Sequence, residues 1–292
     1  MKIMQTLDNT QWDSEYTPET QQQALSALEA GQLLFFPRLA FELNASEMSF
    51  LSPDFVEAKA KNISYNTHTN TIKGAIGTAE QREQIKNMLA RFSQQTYLLI
   101  NRVFPHYQGA LQIGRTSFRP VQVSNRKMSY RKDDRLLHVD AFPANPNQGR
   151  RILRVFSNIN PHGEDRVWRI GEPFESVAAR FLPAISRPLP GSNKLLQQLK
   201  LTKSLRTEYD HIMLQLHNRM KKDTAYQHQV MQTELRLPPG ASWVVQTDSV
   251  SHAALSGQHM LEQTFYLPVP AMANRELSPL KILERLTGRA LV

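Results

Sequence analysis

The feature that most constrains the fold is a change in the pattern of the chain near residue 110. Beyond it, short segments rich in β-branched and aromatic residues are interrupted by Pro, Gly or Asn. The stretches that fit strands in length and composition are 118–124, 135–140, 151–159, 242–247 and 260–267. Short strands separated by turn residues are typical of an antiparallel sandwich. The sequence therefore predicts a mainly β protein.

Helical patterns precede this β region and interrupt it. Thr17 and Pro18 are typical of a helix start, and apolar residues at near-helical spacing predict a second helix from about 78 to 102. Two more helices are predicted at 172–182 and 203–222. The predicted fold is a double-stranded β-helix (jelly roll, cupin-like) core with a helical lead-in and a helical insert. Since no linker or repeat is visible, we predict one domain over 1–292, made of an α/β lead-in at 1–110, the core at 111–270 with the insert at about 171–225, and an amphipathic helix at 271–292.

Composition excludes several classes of protein. With no cysteine, the chain has no disulfide, thiolate nucleophile or cysteine-rich zinc site, so a metal would have to use His, Asp or Glu. Its 35 Lys and Arg against 26 Asp and Glu leave a formal charge of +9, which favours polyanionic partners. No apolar run reaches the roughly 18 residues of a membrane span, and the first residues do not match a secretory signal. We therefore expect a cytoplasmic protein.

The candidate metal ligands are His138, Asp140 and His252. Because side chains alternate along a strand, His138 and Asp140 would point to the same face. One further His would complete the two-His, one-carboxylate set that holds iron(II) in enzymes using 2-oxoglutarate and O2. The His-x-Asp motif is weak by itself, but His252 comes early in the last pair of predicted strands. His259 is the rival third ligand, at a predicted turn. The other histidines, including His217 on a predicted helix, are interpreted as structural or surface groups.

The far carboxylate of 2-oxoglutarate would need a cation, and Arg154 is the candidate. It shares a strand face with the apolar Phe156, where an arginine implies a buried anion. Asn158, further along the same face, is the candidate for an added hydrogen bond to the cosubstrate. Arg151 lies on the opposite face and is expected to be exposed. The alternative for Arg154 is a pair with a structural carboxylate.

Candidate substrate-binding residues lie in the basic stretch 125–135, directly before the proposed metal ligands. They are Arg126, Lys127, Tyr130, Arg131 and Lys132. Their position favours the binding of an anionic substrate. The alternative is a solvated loop, because Asp133 and Asp134 already balance part of the charge.

The sequence around these residues resembles the Kdo 3-hydroxylases. The resemblance is carried by LHVDAFP at 137–143, by RKDDRL at 131–136 before it and by RILRVFSNINP at 151–161 after it, and it extends over the whole chain. It implies a jelly-roll dioxygenase with iron(II), 2-oxoglutarate and O2, in which the three candidate ligands fall on the family's ligand positions. The implied reaction is hydroxylation of 3-deoxy-D-manno-oct-2-ulosonic acid (Kdo) on lipid A at carbon 3, which gives the sugar acid Ko in the lipopolysaccharide of Gram-negative bacteria.

This resemblance also implies a partner. Kdo-bearing lipid A is a polyanion at the inner face of the cytoplasmic membrane, and a basic protein is suited to reach it. The predicted C-terminal helix carries Leu280, Leu283 and Leu286 on one face, with basic residues beside them. One hypothesis places these leucines on the bilayer surface. The alternative packs them on the core or on a second subunit.

Two other functions stay open at this point. A nucleic-acid demethylase would use the same chemistry, but it should expose aromatic residues to stack a flipped base, and only 8% of the residues are aromatic. We therefore expect no nucleic-acid partner. A cupin-like sensor would bind the metal without turnover, and succinate release in the presence of substrate would exclude it.

Overall fold

A computed structural model, which describes residues 2–58, 60–122, 129–189 and 191–292 without the side chain of Ser192, contains two β-sheets. Their strands are β1 (Met4–Thr6), β2 (Leu33–Phe36), β3 (Ile63–Asn66), β4 (Thr71–Lys73), β5 (Gln112–Arg119), β6 (Arg151–Asn158), β7 (Arg166–Ile170), β8 (Thr233–Leu237), β9 (Ser242–Gln246), β10 (His252–Ser256) and β11 (Met260–Leu267). The larger sheet has the order β1-β2-β9-β6-β11-β5-β3-β4, and the smaller sheet has the order β10-β7-β8. Neighbouring strands are antiparallel except β1 and β2. The predicted jelly-roll core is confirmed.

Helices cover one face of this core and interrupt it between β7 and β8. They are α1 (Pro18–Glu29), α2 (Ala45–Met48), α3 (Ala79–Val103), α4 (Phe174–Phe181), α5 (Ser192–Gln198), α6 (Glu208–Lys222), α7 (Thr224–Gln229) and α8 (Pro279–Thr287). The helix predicted from Thr17 and Pro18 is confirmed, with the Thr17 hydroxyl accepting a hydrogen bond from the amide of Thr20. None of the described helices is both long and apolar enough to cross a membrane.

The central strands of the larger sheet are buried on both faces. The outer face of this sheet packs against α1 and α3 in a cluster that includes Phe92 and Leu153. Its inner face meets the smaller sheet, where the ring of Phe156 stacks on Trp243 at 5.3 Å and Trp168 meets Trp243 edge to face at 5.6 Å. Strand β6 lies in the middle of the sheet, and every one of its residues is buried.

Arg151, at the start of β6, is one of these buried residues. Its side chain is fully buried, and its Nε donates a hydrogen bond to Oδ2 of Asp248 at 2.7 Å while Nη2 donates to Ser249 Oγ at 2.9 Å. The prediction of an exposed Arg151 is wrong. Strand alternation assigned the correct face, but that face is covered by 248–249 and by Met272.

Three local predictions need correction. The segment 135–140 is not a strand, because its pairing is limited to a single bridge between His138 and His252. Strand β5 begins at Gln112, earlier than predicted, and positions 123–124 of that prediction lie outside the described residues. Helix α6 begins at Glu208 rather than 203. The lead-in also contributes β1 to β4 to the larger sheet. The single-domain division stays a prediction.

The C-terminal helix α8 packs on the core and not outward. Leu280 is 6% exposed, Leu283 is fully buried, and both belong to the main hydrophobic cluster. Leu286 alone of the three leucines is exposed, and Arg285 forms an ion pair with Glu175 of α4 at 3.0 Å. The hypothesis that these leucines lie on a bilayer is therefore wrong for Leu280 and Leu283, and the packed alternative is the observed one.

Candidate metal centre

The backbone brings the three candidate ligands together at the mouth of the jelly roll. The amide of His138 donates to the carbonyl of His252 at 3.0 Å, and the amide of His252 donates back at 2.9 Å. The amide of Asp140 donates to the carbonyl of Thr247 at 2.8 Å. One ligand atom from each of His138, Asp140 and His252 lies within 4.8 Å of the others, and all three side chains are buried in this cluster.

The two imidazoles are oriented for metal binding. Nδ1 of His138 lies 2.8 Å from the carbonyl oxygen of Leu136, and Nδ1 of His252 lies 2.8 Å from that of Val250. Each Nδ1 therefore carries the proton and donates it to a backbone acceptor, which leaves Nε2 as the ligand atom. Nε2 of His138 is 3.8 Å from Oδ1 of Asp140. The Trp168 ring stacks on His252 at 5.1 Å and 22°, which fixes that ring further.

Burial and neighbouring charges set the protonation states that a metal requires. Burial is the main reason why the pKa of both histidines lies below its usual value, and for His138 the proximity of His252 and Lys221 adds to the effect. Burial alone would raise the pKa of Asp140, but Arg154 and the two histidines hold that pKa well below its usual range. Two neutral imidazoles and one carboxylate are a fitting donor set for iron(II).

Arg154 contacts this cluster through the carboxylate of Asp140. Its Nη2 is 3.3 Å from Oδ2 of Asp140, and its Nη1 is 3.1 Å from Oε1 of Glu262. Arg119 also pairs with Glu262 at 2.7 Å and lies 3.6 Å from Asp134. Arg154 thus faces the site, as the strand pattern predicted, and it has carboxylate partners there.

A cavity of about 580 Å³ opens from the cluster. Its lining contains more cations than carboxylates. The cations are Lys61, Arg119, Arg131, Lys132, Arg154, Arg166 and Lys221, and the carboxylates are Asp134, Asp140 and Glu262. Such a cavity is suited to small molecules that carry several negative charges.

The predicted substrate residues are placed unequally by the structure. Arg131 and Lys132 line the cavity from a 3₁₀ turn, whereas Tyr130 in the same turn is partly exposed outside the cavity lining. Arg126 and Lys127 lie outside the described residues.

Asn158 does not line the cavity. Its Nδ2 donates to the carbonyls of Glu164 and Leu237 at 3.0 and 2.9 Å, and its Oδ1 accepts from the amide of Asn160 at 3.0 Å. These bonds hold the connection between β6 and β7. The structure therefore gives Asn158 a structural role in place of the predicted contact with the cosubstrate.

Several cavity residues were missed by the sequence analysis. His217, interpreted as structural or surface, lies in the cavity with its ring 5.3 Å from that of His138, and burial lowers its pKa to about 4. Lys221, four residues further along α6, lines the same cavity and is 4% exposed. The only sequence signal was this spacing of four beside the apolar stripe of the helix. Arg166 and Trp168 on β7 gave no signal, because β7 was not predicted as a strand.

The rival ligand His259 does not belong to the cluster of candidate metal ligands found among the described residues. It occupies the turn between β10 and β11 with φ of 55°, and its ring lies 6.0 Å from that of His162. The preference for His252 agrees with the geometry.

The chain is similar to known proteins over nearly its whole length. A family model described as 3-deoxy-D-manno-oct-2-ulosonic acid (Kdo) hydroxylase matches residues 11–290. The chain is similar to the Kdo hydroxylase KdoO, a non-heme Fe(II) alphaketoglutarate dependent dioxygenase, whose crystal structure was solved in complex with alphaketoglutarate and Fe(III). The two sequences are 46% identical, the TM-score is 0.97, and the match covers 100% of this chain and 98% of that one. The cobalt(II) complex of KdoO gives 46% identity and a TM-score of 0.98 over the same shares. No curated protein sequence matches the chain.

Proposed function

The chain belongs to the Kdo hydroxylase family, and we propose that it hydroxylates carbon 3 of the Kdo sugar on lipid A, converting Kdo to Ko. It is an iron(II)- and 2-oxoglutarate-dependent dioxygenase that acts in the modification of the lipopolysaccharide inner core. The observation that carries the proposal is the cluster of His138, Asp140 and His252, which opens into a cavity rich in cations.

The three clustered side chains would hold the iron. Bound iron(II), with 2-oxoglutarate and O2, supplies the oxidant that replaces a C–H bond of the sugar by C–OH, while 2-oxoglutarate leaves as succinate and carbon dioxide. The part of the protein is to hold the metal ligands, to orient cosubstrate and sugar, and to keep water out. The carbonyls of Leu136 and Val250 contribute by fixing both imidazoles.

Arg154 is the proposed anchor for the far carboxylate of 2-oxoglutarate. Two observations support it: the guanidinium lies in the cavity wall next to Asp140, and Phe142 packs over it with the ring centroid 5.4 Å away. Arg166 lines the same cavity from β7, beside the Trp168 that stacks on His252. It is a second cation positioned near the metal ligands. Planar guanidinium groups suit a carboxylate that must be held in one orientation.

The carboxylate of the Kdo sugar would meet the cations at the α6 side of the cavity. Lys221 is buried there, with its Nζ 3.8 Å from Asp134 and 3.3 Å from the carbonyl of Arg131. Burial is the main cause that lowers the pKa of this lysine. Arg131 and Lys132 lie at the same wall. Of the predicted substrate residues, these two have the strongest structural support, while roles for Tyr130, Arg126 and Lys127 stay predictions.

Peripheral binding at the inner face of the cytoplasmic membrane is part of the proposal, but through a different surface from α8. Leucines 195, 199 and 201 in and after α5 are 54%, 60% and 59% exposed. Lys194, Lys200 and Lys203 lie among them. Exposed leucines flanked by lysines are suited to the headgroup region of an anionic bilayer. We call residues 194–205 the leucine surface.

Liposome flotation tests the leucine surface. Leu195→Ser/Leu199→Ser should reduce binding to vesicles with anionic lipid, whereas Met231→Ser, which removes an apolar side chain that is 86% exposed elsewhere, should not. Equal binding of all three proteins would contradict this membrane contact and leave the enzymatic proposal intact.

The main proposal is tested by mass spectrometry of Kdo-bearing lipid A. Incubation with the protein, iron(II), 2-oxoglutarate and air should add one oxygen to the Kdo sugar, with succinate formed in equal amount. The gain should be absent without 2-oxoglutarate and with His138→Ala. A protein that binds iron and 2-oxoglutarate but leaves Kdo unchanged would contradict the substrate. Family membership leaves the alternatives of a nucleic-acid demethylase and a non-catalytic sensor without support.

A further inference from the structure

A groove of about 650 Å³ adjoins the cavity that opens from the metal cluster, which we call the site cavity. The two share part of their walls, namely Arg119, Phe142, Arg154 and Glu262. The groove extends from this shared wall over the inner face of β5, β11 and β3, and 145–146 and 203–204 form its far side. A ligand in the site cavity could therefore continue into the groove without leaving the protein surface.

The charges in the groove are strongly one-sided. Among the lining residues that the structure describes, Glu262 is the only carboxylate, and Arg119 and Arg154 already pair with it at 2.7 and 3.1 Å. Arg115, Arg150 and Lys203 also line the groove. Within the part of the chain that the structure describes, none of these three cations forms an ion pair.

Neutral contacts hold one of these cations in place. Nη1 of Arg150 donates to Oε1 of Gln112 at 2.7 Å, its Nε donates to the carbonyl of Asn147 at 2.9 Å, and its guanidinium lies 5.2 Å from the centroid of the Tyr266 ring. A guanidinium fixed by neutral partners keeps its full charge for a ligand and loses little side-chain entropy when the ligand binds.

The remaining surface of the groove is suited to a sugar. Ser64, Asn66 and Thr264 supply hydroxyl and amide groups, and Tyr266 supplies an aromatic ring. Gly114 lies in the floor, where a Cβ would come within 2.8 Å of the Thr264 carbonyl oxygen and 3.1 Å of the Tyr266 ring. The pairing of β11 with β5 shifts register at this point, between Gln263 and Phe265. This irregularity, which depends on a glycine, lets the two strands approach closely under the groove.

We propose that this groove binds a second anionic group of the glycolipid, a carboxylate or phosphate on a sugar next to the Kdo that occupies the site cavity. The inference rests on the proposed function, since that function places an acidic sugar in the adjoining cavity. Its volume lies within the range of ordinary small-molecule sites. Arg115 and Arg150 would meet the anion, and the polar strand residues would meet the sugar hydroxyls.

The test uses Arg115→Gln/Arg150→Gln in the full-length enzyme. Lys203 is left unchanged because it also belongs to the leucine surface. The matched control is Lys2→Gln/Arg82→Gln, which removes the same charge from exposed positions, before β1 and on α3, away from the groove. Three acyl-free glycans serve as substrates: one Kdo on an uncharged disaccharide, the same glycan with a second acidic sugar, and the same glycan with a phosphate.

For the wild-type enzyme, the KM should be lower for one of the glycans that carry a second anion than for the single-Kdo glycan. A lower KM with the second acidic sugar identifies a carboxylate as the ligand of the groove, and a lower KM with the phosphate identifies a phosphate. The groove variant should raise that KM roughly tenfold with little change in kcat, and it should leave the KM for the single-Kdo glycan unchanged. The control variant should keep the wild-type KM for every glycan. An unchanged KM, or an equal rise for all glycans or in the control, would overturn the proposal. Calorimetric Kd values, measured with iron(II) and 2-oxoglutarate without O2, decide the same question without turnover. Absence of hydroxylation by wild type would instead contradict the proposed function.

Discussion

His138 and His252 are joined by an isolated antiparallel bridge, with amide-to-carbonyl hydrogen bonds of 3.0 and 2.9 Å in the two directions. His252 begins β10, whereas His138 lies in a segment that pairs with it only here. The ring centroids are 4.5 Å apart as a result. Two ligands separated by more than a hundred residues in sequence are thus positioned by one pair of backbone hydrogen bonds, and Asp140 follows two residues after the first of them.

Removal of a clustered ligand should abolish metal binding. His252→Ala should lose bound iron and lower succinate formation by more than about 100-fold, since even indirect supports of a metal site are worth about 10- to 100-fold. His259→Asn is the matched control, because His259 lies outside the cluster and Asn tolerates its φ of 55°. The measurements are the iron content and the rate of succinate formation of both variants. Loss of the metal in His259→Asn, with the metal kept in His252→Ala, would contradict the assignment.

Arg154 and Asn158 should differ in their effect on cosubstrate binding. Arg154→Met should raise the KM for 2-oxoglutarate about tenfold or more, because it removes the guanidinium that is proposed to bind the far carboxylate of the cosubstrate. Asn158→Ala should leave that KM unchanged and lower the free energy of unfolding by about 1–3 kcal/mol, because the carbonyls of Glu164 and Leu237 lose their buried donor. Steady-state kinetics and urea unfolding of both variants measure the difference. A raised KM in Asn158→Ala at unchanged stability would restore the cosubstrate contact predicted from sequence.

The buried pair of Arg151 and Asp248 should matter for folding. Arg151→Met should lower the free energy of unfolding by about 3–5 kcal/mol, since Asp248 would be left buried without its counter-charge. Arg151→Met/Asp248→Leu should recover much of this loss. Urea unfolding measures both, and a single variant as stable as wild type would show that the pair contributes little.

His259 should make stability depend on pH. Burial and the neighbouring His162 lower its pKa to about 4, below the ordinary value of 6.5. The unfolded chain then binds more protons than the folded one between these values, so stability is lost as pH falls through this range. The loss from this group between pH 7 and pH 5 should be about 2 kcal/mol. His259→Asn should lack it, whereas the exposed His106→Asn should behave as wild type in unfolding measured at both pH values.

The leucines of α8 should differ according to burial. Leu283→Ala should lower the free energy of unfolding by about 2–5 kcal/mol, because a fully buried side chain leaves a cavity. Leu286→Ala should change it by less than about 0.5 kcal/mol, since that leucine is 40% exposed. Neither change should affect vesicle binding. A loss of vesicle binding in Leu286→Ala would return α8 to the membrane contact.

Local patterns predicted much of this arrangement. Alternation was enough to place His138 and Asp140 on one side, although the segment forms a single bridge and is not a strand of either sheet. The same rule placed Arg154 with Phe156 in the cavity wall. Capping residues and apolar spacing predicted α1 and α3. These features depend on residues close together in sequence, so they can be read without the fold.

The sequence by itself determined the fold class, the shared face of His138 and Asp140 and the inward face of Arg154, because each depends on backbone periodicity, while His252 was predicted from its place in the order of the strands. The tertiary structure alone decided what covers each face. It buried Arg151 against Asp248, placed the α8 leucines in the core, and brought His217 and Lys221 from the helical insert to the metal cluster. Periodicity gives the direction of a side chain, whereas its surroundings depend on segments far away in sequence whose packing no local pattern contains.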